Sequence, residues 1–158
     1  MNSQTGTMCL AIIAILAVFV SIQPILPSNQ ERFSEFGLLG PNQTISGYPT
    51  QVRVGQQFHL FGYVKNDEGR VTFYQVIIKL GNESTVISNS TFARAPQITS
   101  YTQVLGNNES WIYPISLSLN QTGTNQRLIF ELWTYNTTAA GFTYSGLRNQ
   151  LWINVTGG

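Results

Sequence analysis

After residue 30 the sequence alternates between apolar and polar residues, and this period of two constrains the fold more than any other feature. Apolar side chains recur at every second position, as in Phe58, Leu60 and Val64. Successive residues of a β-strand point to opposite faces of a sheet, so the pattern predicts strands that are buried on one side. Strong alternation is present at residues 58–64, 74–80, 111–119, 128–132 and 151–155, and weaker alternation at 36–39, 50–54 and 98–105.

Turn signals rich in Gly, Asn and Asp separate these segments, among them GPNQ, NDEG, LGNES and NQTGTN. Seven or so short antiparallel strands at this spacing predict an all-β fold, an immunoglobulin-like antiparallel β-sandwich over residues 36–158. The single cysteine of the chain, Cys9, precedes this region. We therefore predict that the sandwich has no internal disulfide and is held together by packing.

An apolar run over residues 8–22 precedes the sandwich and extends to Leu26. Its length approaches the roughly 20 residues that span a bilayer. No Lys or Arg precedes the run and no small-x-small cleavage site follows it, which disfavours a cleaved signal peptide. We predict that residues 1–26 form one hydrophobic helix, which contacts the lipid bilayer through residues 8–26 as a single-pass anchor, and the alternative is a signal segment.

Residues 27–35 are polar and are predicted to form a stalk between the anchor and the sandwich. With either interpretation of residues 1–26 the remainder is exported. We predict that the protein lies in the cell membrane with its C-terminal domain outside the cell. The alternative is that the protein is secreted.

Seven Asn-x-Ser/Thr triplets follow the apolar run, and chance would give about two. This excess predicts an exported, N-glycosylated protein, although Asn, Ser and Thr also favour turns for local reasons. The predicted acceptor residues are Asn42, Asn82, Asn89, Asn108, Asn120, Asn136 and Asn154.

Charged residues make up only 9% of the chain, with eight Lys or Arg against seven Asp or Glu. Electrostatic binding of nucleic acid needs a clustered basic face, so the composition argues against nucleic acid as a partner. No motif for a cofactor is present, and we predict that the protein has none.

Several stretches resemble a known family: FGLLGP at 36–41, YPTQVRVGQQ at 48–57, GYVKNDEG at 62–69, ESWIYPISL at 109–117 and LWINV at 151–155. They resemble the soluble domain of domain-of-unknown-function family 1616, a family of archaeal membrane proteins. Their pattern Pro-x-x-Val-x-Val-Gly followed by Val-x-Asn-x-x-Gly also resembles that of cell-adhesion-related immunoglobulin-like domains. The resemblance implies an archaeal surface protein. Its motifs are turns and core positions, so it transfers no catalytic residue.

The densest charge lies between Lys65 and Arg70, where Asp67 and Glu68 are adjacent. Adjacent acids on a strand point to opposite faces and do not converge on one substrate. Residues 65–70 are therefore predicted to form the turn of a hairpin rather than an acid pair or a metal loop. If segment 50–54 pairs antiparallel with 57–65, this turn lies at the end of the domain nearer the stalk.

His59 is the only histidine, and strand parity places it on the polar face. A lone histidine with no cysteine nearby is a poor metal site. We predict that the protein has no metal site and no catalytic residue and is not an enzyme. A hydrolase in which His59 works with Ser and Asp is left open as the weaker alternative.

Three aromatic residues have the wrong parity for the core: Phe73, Trp133 and Trp152. In an immunoglobulin-like strand order their strands are neighbours, so they are predicted to form an outer aromatic stripe that binds a sugar or a partner protein. The alternative is that the first strand, a loop or a glycan covers them.

Together these features predict a membrane-tethered, N-glycosylated, non-enzymatic surface domain with a structural or adhesive role. Its partners would be the bilayer and other surface-protein subunits or glycans. The alternative is a secreted subunit of an extracellular filament that is assembled by strand addition.

Overall fold

The computed structural model describes residues 31–157, which fold into strands joined by turns and loops. The strands are β1 (Phe33–Leu39), β2 (Gln51–Arg53), β3 (Gln57–Asp67), β4 (Thr72–Gly81), β5 (Gln97–Leu105), β6 (Ser110–Ser118), β7 (Gly123–Asn136) and β8 (Gly141–Thr156). Every segment of apolar–polar alternation lies in or overlaps one of them, so the predicted strands are confirmed.

The predicted hydrophobic helix and membrane contact of residues 1–26 lie outside the described residues, as does the first part of the predicted stalk. Over residues 31–157, no helix has the length and apolar character that crossing a membrane requires.

The strands form two sheets, one with the order β1-β3-β6 and the other with the order β2-β8-β7-β4-β5. The neighbouring strands β4, β7 and β8, opposed to β1, β3 and β6, have the arrangement of an immunoglobulin-like sandwich, as predicted. The prediction of a purely antiparallel fold is wrong at one edge, because β2 pairs with β8 in parallel. The 11 or so residues that follow β1 carry the chain across to the edge of the other sheet, where β2 runs in the same direction as β8.

The alternating apolar rows of the two sheets meet in one core. Its fully or almost fully buried members include Leu60, Val64, Tyr74, Val76, Ile78, Ile115, Leu128, Phe130, Leu132 and Ile153. Burying a large apolar side chain contributes about 1.5–3 kcal/mol, so this core is the main source of stability in a domain without a disulfide.

The segment between β3 and β4 is not a hairpin, and the prediction for residues 65–70 is corrected here. Strand β3 pairs with β1 and β6, whereas β4 pairs with β5 and β7, so the chain crosses from one sheet to the other. A short polar connection has the same sequence pattern whether it joins two neighbouring strands of one sheet or two strands in opposed sheets. Gly69 has a φ of 72°, in the left-handed region that glycine tolerates.

Asn66, a member of this predicted turn, is fully buried and organises the crossing. Its Nδ2 donates hydrogen bonds to the carbonyl oxygens of Leu105 (2.9 Å), Gly106 (3.0 Å) and Arg70 (2.8 Å). Its Oδ1 accepts one from the backbone N–H of Glu68 at 3.0 Å. The side chain thereby ties the β3–β4 crossing to the β5–β6 turn.

The strand pairing from which the location of residues 65–70 was predicted is also wrong. Segment 50–54 does not pair with β3, but β1 does, and Phe33 is the register partner of Asp67. The charged residues therefore lie at the end of the sandwich where β1 begins. Strand β1 starts at Phe33, so residues 33–35 belong to the sandwich and not to the predicted stalk. Strand β8 runs away from this end, and Thr156 lies at the opposite end.

Tyr113 is an unusual member of the core, because its hydroxyl is buried and has no hydrogen-bond partner among the described residues. The ring stacks on Trp111 at a centroid distance of 3.9 Å and contacts Tyr101 at 5.1 Å. It lies over Gly62, its register partner on β3. Burial, followed by repulsion from Tyr101, raises the pKa of the Tyr113 hydroxyl far above its usual value.

This raised pKa predicts a loss of stability at high pH that Tyr113→Phe reduces. As the pH rises above about 10, the unfolded chain releases the tyrosine proton and the folded chain retains it, so the free energy of unfolding falls. We expect urea unfolding to show a shallower fall for Tyr113→Phe than for the wild type, by up to about 1.4 kcal/mol per pH unit. At pH 8 the variant should be as stable as the wild type or more so, because an unpaired buried hydroxyl is removed. Identical slopes above pH 10 would contradict this assignment.

Candidate functional site

The outer face of the five-stranded sheet, the side turned away from the core, carries the three aromatic residues selected from the sequence. Phe73, Trp133 and Trp152 lie on the neighbouring strands β4, β7 and β8. The side chains of Phe73 and Trp152 are 36% and 42% exposed, while Trp133 is partly buried.

These residues lie in three separate clusters and not in one stripe. Phe73 contacts Phe142 at a ring-centroid distance of 4.9 Å. Trp133 contacts other aromatic rings, and the ring of Trp152 is covered by Arg127 at 5.1 Å. The strand register is the reason, since Trp152 is opposite Arg127, six positions and thus roughly 20 Å along β7 from Trp133.

The loop between β4 and β5, residues 82–96, covers Trp133. Phe92 of this loop packs on the indole at a centroid distance of 5.2 Å. The hydroxyl of Tyr144 on β8 donates a hydrogen bond to the carbonyl oxygen of Ser88 at 3.1 Å. A loop was one of the expected alternatives for this surface, and it is present at Trp133 but leaves Phe73 and Trp152 exposed.

A buried ion pair lies under this loop. Lys79 Nζ is 2.8 Å from Glu131 Oε2, and the two side chains are 9% and 0% exposed. The backbone N–H of Ala93 donates to Glu131 Oε1 at 2.5 Å, and Lys79 Nζ donates to the Ala93 carbonyl oxygen at 2.8 Å. The indole N–H of Trp133 donates to Glu131 Oε2 at 3.2 Å. Each charge is therefore paired and hydrogen-bonded, which a buried charge requires.

Sequence reasoning missed Lys79 and Glu131, although a signal for them was present. Each is a single charge inside a long apolar run, VIIKL on β4 and LIFELW on β7. A charged side chain within such an apolar run is expected to be at least partly buried, and a buried charge needs a group of opposite charge nearby. Because the chain has so few charged residues, a lysine and a glutamate in two such runs, on strands that lie side by side, predict a buried ion pair.

A polar groove of about 540 Å³ lies beside the loop, on the β7–β8 part of the outer face. Its lining residues include Asn89 of the loop, Arg127 of β7, and Arg148 and Gln150 of β8. Arg127 Nε donates to Gln150 Oε1 at 2.7 Å, and Arg127 Nη1 donates to the carbonyl oxygen of Thr85 at 2.8 Å. Arg148 Nη1 donates to Asn89 Oδ1 at 2.5 Å.

The seven asparagines of the Asn-x-Ser/Thr triplets all lie on the exposed surface of the described domain. Asn154 is on the outer face of β8, Asn136 is the last residue of β7, and the others lie in turns or loops. Oligosaccharide transfer requires access to the asparagine Nδ2, and exposure provides it. Glycosylation itself stays a prediction.

His59 lies on the exposed face of the three-stranded sheet, as its parity predicted. Its Nδ1 is 2.9 Å from Ser116 Oγ, across the β3–β6 pair. A serine nucleophile activated by histidine also needs a group that orients the imidazole, and no carboxylate of residues 31–157 hydrogen-bonds to His59. In the same residues, no three His, Cys, Asp or Glu side chains come together as metal ligands.

Comparison with known proteins yields one family and a set of similar folds. The sequence profile of the family described as Domain of unknown function (DUF1616) matches residues 27–154. No curated protein matches the sequence.

The similar solved structures include the CARDB domain of the PF1109 protein from Pyrococcus furiosus, at 12% identity and a TM-score of 0.49. The match covers 79% of this chain and 89% of that one. A β-glucosidase from Listeria innocua also matches at 12% identity and a TM-score of 0.49, over 80% of this chain and 16% of the enzyme. At these identities and TM-scores the similarities carry no functional argument.

Proposed function

The chain belongs to the family described as domain of unknown function DUF1616, and on this premise we propose that it is a membrane-tethered, N-glycosylated surface domain of an archaeal cell. Its role in this proposal is structural or adhesive, and it is not catalytic. The observation that carries the proposal is that all seven predicted acceptor asparagines lie on the exposed surface of the sandwich. Oligosaccharide transfer needs an accessible asparagine, and every one of these triplets meets that requirement.

A further feature supports an interaction role. The outer face combines exposed aromatic rings with a polar groove, and such surfaces contact other molecules. The non-enzymatic part is supported by His59, whose side-chain partner within residues 31–157 is a serine on an open sheet face.

The alternative, a secreted filament subunit assembled by strand addition, is favoured by the edge strand β5. Its nine residues contain no charged residue and no proline. Charges and proline are the devices that protect an edge strand from pairing with another chain, and the neighbouring edge β6 has Pro114 in its middle. Strand β5 therefore offers a backbone edge to a donor strand.

Intact-mass analysis of the protein purified from its native membrane tests both proposals. We expect the mass of the uncleaved chain plus increments of an oligosaccharide, with the increments lost from protein made in a host without N-glycosylation. An uncleaved chain without any increment would reject the glycosylated surface domain. A mature N-terminus near residues 22–30 would reject the tether and favour the filament subunit.

A further inference from the structure

We propose that the groove between the 82–96 loop and β8 binds an acidic polysaccharide, whose carboxylate or sulfate groups pair with Arg127 and Arg148. The inference rests on the proposed surface role and deepens it, because it names the class of molecule that the interaction surface recognises. In this proposal Trp152 acts with Arg127, separately from Trp133 and Phe73.

The positive charge of the groove is not neutralised by a partner. In residues 31–157 the ion pairs involve Lys65 and Lys79, and neither arginine takes part in one. Glu131 is opposite Arg148 in the strand register, but its carboxylate already binds Lys79. Arg127 and Arg148 line the same groove, and burial, together with repulsion from Arg148, lowers the pKa of Arg127 from its usual value. An anion that enters the groove relieves this repulsion.

Arg127 is held in place before any ligand arrives. Both Nε and Nη2 donate to Gln150 Oε1, Nη1 donates to the Thr85 carbonyl oxygen, and the group lies 5.1 Å from the centre of the Trp152 ring. Arg148 is oriented in the same way by Asn89. A side chain that is already ordered loses less conformational entropy on binding, and planar guanidinium groups bind carboxylate and sulfate through paired N–H donors.

The remaining groups of the site suit a sugar. Trp152 is 42% exposed next to Arg127, and the part of its indole that Arg127 leaves uncovered offers an apolar contact for the C–H groups of a pyranose. Gln150, which is exposed, lines the same groove and offers its amide Nε2 as a donor to hydroxyl groups. Guanidinium, amide and indole together match a chain of sugars that bears acidic groups.

Asn89 borders the groove and is also a predicted glycosylation site, so its glycan would lie over the ligand. Thr91→Ala removes the Asn-x-Thr triplet and keeps the asparagine side chain that orients Arg148. This variant exposes the groove without altering its lining.

The test measures binding of the full chain, purified in detergent as the Thr91→Ala variant, to polygalacturonate, dextran sulfate and neutral dextran. We expect binding to an acidic polymer that weakens with salt, and no binding to neutral dextran. Binding to polygalacturonate alone would assign carboxylate as the recognised group, and binding to dextran sulfate alone would assign sulfate. Arg148→Gln should lower the affinity about tenfold or more, because a charge-assisted contact is lost.

Arg53→Gln is the matched control, since it removes the same charge from an exposed arginine on β2, outside the groove. We expect it to change the affinity by less than about twofold. Equal losses for Arg148→Gln and Arg53→Gln would overturn the proposal in favour of nonspecific attraction. Failure of every acidic polymer to bind, or equal binding of neutral dextran, would also overturn it.

These outcomes are separable from those of the proposed function. If the native protein is anchored and glycosylated but the chain binds no acidic polymer, only the polysaccharide-binding proposal for the groove is rejected. Groove-dependent binding by a chain whose native form has neither feature rejects the surface-domain proposal and leaves the site in place.

Discussion

Glu131→Gln is expected to lower the free energy of unfolding by about 3–5 kcal/mol, which is a large part of the stability of a domain of this size. Glutamine retains the shape of the side chain and an oxygen that can accept from Ala93, so the change removes mainly the charge. Lys79, whose side chain is only 9% exposed, is then left as a buried ammonium group without a counter-charge. Urea unfolding at pH 7, followed by intrinsic tryptophan fluorescence, measures the loss.

The double variant Lys79→Met/Glu131→Leu is the matched control. It replaces both charges with apolar groups of similar size, and such replacements of a buried pair are often neutral or stabilising. We expect its stability to lie within about 1 kcal/mol of the wild type, well above that of Glu131→Gln. A loss below about 1 kcal/mol for Glu131→Gln would mean that the pair is solvated, contrary to its burial.

The same variants report on the 82–96 loop. Because Ala93 bonds to both members of the pair, Glu131→Gln should loosen the loop and speed its cleavage by a protease under native conditions. If contacts such as Phe92–Trp133 and Tyr144–Ser88 hold the loop without the ion pair, cleavage should be as slow as in the wild type.

Gly62→Ala is expected to destabilise the sandwich by about 3 kcal/mol or more, at or beyond the upper end of overpacking effects. A Cβ at this position would lie 2.1 Å from Cζ and 2.2 Å from the hydroxyl oxygen of Tyr113. The ring has to move, and it loses its stacking on Trp111 when it does. Thermal and urea unfolding of the variant measure the cost.

Gly37→Ala provides the matched comparison on β1. There the nearest atom to an added Cβ is Tyr63 Cδ1 at 3.5 Å, an ordinary contact, so we expect little change or a small gain in stability. In a Tyr113→Leu background, Gly62→Ala should cost at least about 1.5 kcal/mol less, since leucine lacks the atoms that clash. An equal cost in both backgrounds would show that the backbone at Gly62, and not the ring, resists the substitution.

Much of the fold was predictable because apolar–polar alternation is a local property. Each strand was found, and the parity of His59, Phe73 and Trp152 placed them correctly on exposed faces. The exposure of Asn154 followed from the same parity, opposite the buried Ile153 and Val155. None of these conclusions needed the identity of the neighbouring strand.

The errors concern strand pairing. The turn predicted at residues 65–70 was expected to join neighbouring strands of a hairpin, and segment 50–54 was expected to pair with β3. The first connection crosses between sheets and β2 pairs with β8. Period-two alternation states which face of a strand is buried but not which strand lies beside it, so both arrangements satisfy the same sequence pattern.

The features of the candidate site likewise separate into those that a local sequence pattern predicts and those that depend on strand pairing. From the sequence alone, the protein was determined to be a β-sandwich with aromatic rings on the outside of β4, β7 and β8 and with seven accessible triplet asparagines, because parity and turn chemistry are local. Only the tertiary structure decided that a loop covers Trp133, that Lys79 and Glu131 pair beneath it, and that Arg127, which lies over Trp152, lines one groove with Arg148. These contacts depend on strand register and loop docking, which join residues far apart in the chain.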